Sequence, residues 1–176
     1  MRFGRVLLNL ARAINNPDME RKSSLVNRLR QVLLDGHWIA NTNFKTQILS
    51  MDWQQATHKI GSLNTIAALT FHINYYLEGI LNVFDGAELE IKDQYSFDLP
   101  EIKSEADWEK LVHTFIENAR KFAGGVAQLP DDQLDKPFAD EKYGSYLRNI
   151  EGVIEHSYYH LGQVSLIKKM ISEKTG

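Results

Sequence analysis

The residues of this chain whose types and spacing could do chemistry are three histidines. His156 and His160 stand four apart in a stretch of helical periodicity, which puts both imidazoles on one face with their Cβ atoms ~6 Å apart, close enough to share one metal ion. Their face also carries Asn149, Val153, Gln163, Val164 and Ile167, so it points toward a bundle edge or interior rather than into a field of charge. His72 lies near the middle of a second apolar-periodic stretch, flanked by Leu69 and Tyr76, with Ala68 and Gly79 as small neighbours that leave room for a pocket. Three imidazoles on one divalent transition metal would leave a coordination position for water or substrate, the pattern of catalytic zinc sites. On spacing alone the alternative stays open that the pair is incidental and His72 a half-buried packing residue. Tyr76, Asn149, Tyr159 and Gln163 are near enough in sequence to line such a site and orient a ligand, although paired tyrosines also serve as core and rim aromatics. His37, His58 and His113 have no partner at ligand spacing and read as surface or packing residues.

Other chemistries find little support. There is no cysteine, which removes disulfides, thiolate ligands and an internal thiol nucleophile. No serine sits in a nucleophile elbow, and no glycine-rich phosphate loop or calcium loop is present. Glu155 adjoins His156 instead of preceding it by three, so the Glu-x-x-His pairs of di-iron bundles are missing. A net charge of -3 offers no basic field for nucleic acid. Apolar runs such as Ile66 to Phe71 are far short of the ~20 residues that span a bilayer. The N-terminal stretch lacks a cleavage site of small residues, so the expectation is a cytoplasmic protein.

The elements that must position the histidines read as helices throughout. Residues 2–15 place Phe3, Val6, Leu7, Leu10, Ala11 and Ile14 at helical spacing before Asn15-Asn16-Pro17 stops the pattern, which suggests an accessory helix in residues 1–18 ahead of a bundle domain in 19–176. Helix one is expected from about Ser24 to a bend at Gly36, with Ile39 to Leu49 continuing it, and Asp52 with Gln55 forms a capping box for a short turn ending near Gly61. Helix two should start at Asn64 and end at Gly86. Helix three should start at Ser104, with Gly124-Gly125 loosening its last turns, and helix four should run from about Ser145 to Ser172. The class is all-α. The connection from Ala87 to Lys103 is long enough, at ~3.3 Å per residue, to travel the whole length of a helix. That predicts an up-down-down-up four-helix bundle with helices two and three parallel.

The run His156-Ser157-Tyr158-Tyr159-His160-Leu161-Gly162-Gln163, together with Leu69-Thr70-Phe71-His72-Ile73, resembles the DinB/YfiT-like superfamily of bacterial metal-binding four-helix bundles, over about residues 24–172. The resemblance implies that His72, His156 and His160 hold zinc, nickel or a similar ion. It implies a range of activities: S-transfer from small thiols such as bacillithiol or mycothiol, a thiol-dependent isomerisation, hydrolysis, or none. The reading that follows is a metal-dependent enzyme, a small-thiol S-transferase acting on electrophilic small molecules with the thiol as cosubstrate. The alternatives are a metal-dependent hydrolase and a non-catalytic module in which the histidines only staple two helices. A homodimer is left open, and neither nucleic acid nor membrane is expected as a partner.

Overall fold

A computed structural model describes residues 17–130 and 132–174; the accessory helix expected in residues 2–15 lies outside the described residues. Among the described residues there are six α-helices and no strand: α1 (Pro17–Leu33), α2 (Phe44–Ile48), α3 (Trp53–Thr57), α4 (Ile66–Phe84), α5 (Glu105–Gln128) and α6 (Tyr146–Lys174). The four long ones form the bundle. Each of α1 and α4 packs against both α5 and α6. The shared interior is filled by Leu29, Leu33, Phe44, Leu69, Leu77, Phe115, Phe122, Ile150 and Val164, and Phe44 meets Phe115 at a ring separation of 5.4 Å.

Contacts at the helix ends give their relative sense. Lys22 at the start of α1 donates to the carbonyl of Leu129 just beyond the end of α5, so these two run in opposite directions. Asn118 donates to Asn74 across the middle of α5 and α4, and Phe84 meets Phe122 near the ends of both, so α4 and α5 run the same way. Phe84 also meets Tyr146 at the start of α6, which runs back against α4. Two parallel consecutive helices need a connection that returns along one of them, and the 85–104 segment does so. Its Ile91 lies against Gly79, Lys92 against Tyr75, Asp93 against Tyr76 and Ser96 against His72, in reverse order along α4.

Local signals set most boundaries. The Asp52–Gln55 capping box is complete, Gly86 takes a positive φ of 87° just past the end of α4, and Gly61, in the turn that follows α3, takes a φ of 53°. Ser104 caps α5 by accepting from the Asp107 backbone while its hydroxyl donates to the Asp107 carboxylate, which holds that carboxyl below its usual range. Four expectations are corrected. The cap of α4 is Thr65 rather than Asn64, because the Thr65 hydroxyl is the group that reaches the Ala68 N–H. Gly124-Gly125 does not loosen α5, which continues to Gln128; a Cβ at Gly125 would lie 2.9 Å from the Phe84 ring, so this glycine admits the ring. Helix one begins at Pro17 and stops at Leu33, so Met19 lies within its first turn. The Ile39–Leu49 stretch does not continue it: Trp38 and Ile39 are exposed, and Asn43 starts a separate helix by capping Thr46.

Candidate metal centre

α4 and α6 run antiparallel, and this brings His72 to the level of His156 and His160. The separation between Nε2 of His156 and Nε2 of His72 is 3.1 Å, and that between His156 and His160 is 2.8 Å. His72 and His160 are buried and His156 half-buried, and their ligand atoms all lie within 4.8 Å of one another. Around an ion bound at about 2.0–2.1 Å by tetrahedral imidazoles, the nitrogens stand roughly 3.3 Å apart, so this spacing fits a common ion.

The outer ring nitrogens fix the protonation of the inner ones. Nδ1 of His72 lies 3.2 Å from the carbonyl oxygen of Ser96, and since a carbonyl can only accept, Nδ1 carries the proton. Nδ1 of His160 donates to Oε1 of Gln163 at 2.7 Å. In both neutral rings Nε2 is then a bare lone pair. Nε2 of His156 can donate one proton to one of these lone pairs, which leaves the other without a donor. A cation among the three nitrogens satisfies them all.

Charge works in the same direction. Burial, and then the nearness of His160, lower the pKa of His72, despite the Ser96 hydrogen bond and Asp93. Burial is also the largest influence on His156, whose pKa falls to about 4 with His160 and His72 adding to the effect, and burial lowers His160 against its bond to Gln163. Near neutral pH the cluster is therefore three unprotonated imidazoles, the form that binds metal. No carboxylate joins the group among the described residues.

The other residues anticipated around the site are distributed unevenly. Gln163 touches His160 as described, and the Tyr159 ring, 64% exposed, packs against His160 at 4.9 Å on the solvent side. Tyr76 stands edge-on to His72 and His156 at 5.1 and 5.3 Å, and its hydroxyl donates to Asp93 at 2.9 Å. Burial, the largest influence, raises the Tyr76 pKa. Asn149 does not reach the histidines, because its amide donates to the carbonyls of Tyr143 and Ser145 at the foot of α6. It lines a neighbouring cavity of about 380 Å³ together with Tyr76, Asp93 and Phe138. Gly79 makes room for Ile91 of the crossover rather than for a pocket at the histidines. His37, His58 and His113 are exposed and stand outside the cluster.

Sequence reasoning missed the contribution of the crossover. Ser96 orients His72, its own hydroxyl donating to the Asp93 carbonyl at 2.7 Å, and Phe97 stacks on the His72 ring at 4.0 Å and 12°. The only signal was the length of the 87–103 connection, which announced a return path without saying which of its residues would meet α4.

The fold and site together define a helical bundle whose second and last long helices present one and two histidines to a common point, a group that could hold a metal ion. The DinB superfamily model matches residues 40–164, and the chain belongs to this superfamily. Searches of curated proteins and of solved structures return no match.

Proposed function

We propose that this chain is a divalent-metal-dependent enzyme that transfers a small thiol to an electrophilic small molecule. The observation that carries this reading is the trio of inward lone pairs, two of them fixed by Nδ1 donation to Ser96 and Gln163, with no carboxylate joining the group among the described residues. His72, His156 and His160 would hold zinc or nickel, and the bound ion would supply Lewis acidity, lowering the pKa of a thiol or water in the free position. The chain's own groups do the rest. Phe97 and Tyr159 flank the cluster with apolar surface, and Tyr76, held by Asp93, presents a ring edge to two of the histidines. The chain has no cysteine, so the thiol comes from outside. In this reaction the S–H bond and the bond to the leaving group break, one C–S bond forms, and the leaving group departs with the thiol's proton.

Hydrolysis is the second reading, and Asp93 favours it, since its carboxylate beside Tyr76 is a proton acceptor close to the cluster. Both readings compete for the same coordination position. The test is a metal-loaded assay with bacillithiol, mycothiol and glutathione against a generic electrophile, with His72→Ala and His160→Ala as controls. Thiol consumption at least tenfold faster in the wild type supports transfer. Equal consumption in all three proteins, with metal-dependent cleavage of an ester or amide panel, replaces transfer by hydrolysis.

A further inference from the structure

The cavity of about 380 Å³ that Asn149 lines is bounded by α4, α6, the crossover and the segment leading into α6. Its end nearer the histidines is marked by Tyr76, whose ring is 5.1 and 5.3 Å from those of His72 and His156. Ile80 on α4 and Asn149 on α6 mark the other end, two helical turns or ~10–12 Å beyond the histidines. Ile80, Leu89, Ile91 and Phe138 give it an apolar wall, with Ile80 and Phe138 buried. The polar atoms left over on that wall are acceptors. Tyr76 spends its hydroxyl proton on Oδ1 of Asp93 at 2.9 Å, and no cation pairs with this carboxylate among the described residues. The Asn149 amide nitrogen donates to the carbonyls of Tyr143 and Ser145 at 2.8 and 2.9 Å, and since a carbonyl can only accept, the Asn149 oxygen is the atom that stays available. No lysine or arginine lines the cavity, and Lys142, next to the lining residue Tyr143, is held by Asp140 at 3.3 Å.

We propose that this cavity binds the body of the electrophile and that the electrophile is an amine, an apolar chain or ring carrying a protonated amino group. Size and lining suit such a guest: small-molecule sites are mostly apolar, with a few placed polar groups that set orientation. The apolar part lies against Ile80, Leu89, Ile91 and Phe138, and the ammonium, which has only donors, meets the unpaired charge of Asp93 and the free oxygen of Asn149. A guest carboxylate would bring acceptors to acceptors and a negative charge to Asp93, so anionic electrophiles are disfavoured. With its body so placed, the guest's reacting carbon lies at the Tyr76 end, next to the histidines. That the guest is the electrophile rests on the transfer reading above; the cavity's preference for a cation does not.

Hexylamine, hexanol and hexanoate share one apolar chain and differ in charge, which makes them probes of the metal-loaded, full-length protein. Calorimetric titration at neutral pH and low salt is expected to rank hexylamine first, roughly fivefold or more tighter than hexanoate, with the preference shrinking as salt is added. Asp93→Asn keeps an acceptor for the Tyr76 hydroxyl and removes the charge, so it should bring hexylamine down to the level of hexanol. Leu89→Trp, at a partly buried position of the crossover, fills the cavity and should abolish hexylamine binding with helicity and metal content unchanged. Equal binding of hexylamine and hexanoate overturns the proposal, as does hexylamine binding that is the same in Leu89→Trp as in the wild type. The thiol assay separates this claim from the reading it deepens. A protein that prefers hexylamine yet consumes no thiol keeps the cavity's selectivity and loses the transfer reading, whereas thiol consumption without the amine preference keeps transfer and overturns the substrate class.

Discussion

In His72 and His160 the outer ring nitrogen decides what the inner one can do, and that dependence is testable at single residues. Gln163 accepts the Nδ1 proton of His160 at 2.7 Å, so it fixes both the tautomer and the ring's aim. Gln163→Leu removes the acceptor with little change in volume, and the expected result is a tenfold or greater loss of metal affinity by competition with a chelator, with helicity unchanged. An unchanged affinity would mean that packing alone aims the ring. Protonation gives a second prediction. Spacing alone places the competition between protons and metal near the free imidazole pKa of ~6.5. Burial lowers all three histidines, His156 to about 4, so the folded site resists protonation further into acid than a free imidazole does. The sign follows: folded-state pKa values below the unfolded value mean that the unfolded chain binds more protons, so stability is full above pH 6.5 and is lost as pH falls toward 4. Metal retention measured against pH should therefore reach its midpoint below 6.5, and a midpoint at or above 6.5 contradicts the buried, mutually repelling cluster.

At the scale of elements, the crossover is a working part of the site. Tyr75 exchanges hydrogen bonds with the backbone of Lys92, Tyr76 holds Asp93, and His72 holds Ser96, so three side chains on one face of α4 strap the segment down. The close approach depends on Gly79, where a Cβ would overlap Ile91. Gly79→Ala is expected to lower stability by about 1–3 kcal/mol through overpacking, and to weaken metal binding by displacing Ser96 and Phe97. Thermal melts and metal titration of the variant check both, and a variant that melts and binds like the wild type would detach the crossover from the site. Several helix boundaries were legible in the sequence, because period and caps agree at Asp52, at Ser104 and at Gly86 after the helix that carries His72. What lay beyond it were contacts set by tertiary packing: Ser96 and Phe97 on His72, the Phe84 ring over Gly125, and the break at Trp38–Ile39, whose apolar residues imitate a buried stripe.

At the scale of the whole molecule, antiparallel α4 and α6 make three side chains far apart in sequence into one site, and α1 and α5 close the core behind them. The histidines themselves were legible from their i, i+4 spacing and a third member at mid-helix; that the Asn149 amide bonds the carbonyls of Tyr143 and Ser145 was not, because helical periodicity gives a face but not the distance along it. No helix among the described residues is long and apolar enough to cross a membrane. Since the cluster forms only when the bundle folds, an ion bound there stabilises the whole fold by mass action. The most direct measurement is the metal content of the purified protein and of His156→Ala by elemental analysis. The wild type should carry close to one zinc or nickel ion per chain and the variant should lose most of it; equal metal content in the two proteins would contradict the assignment of the site.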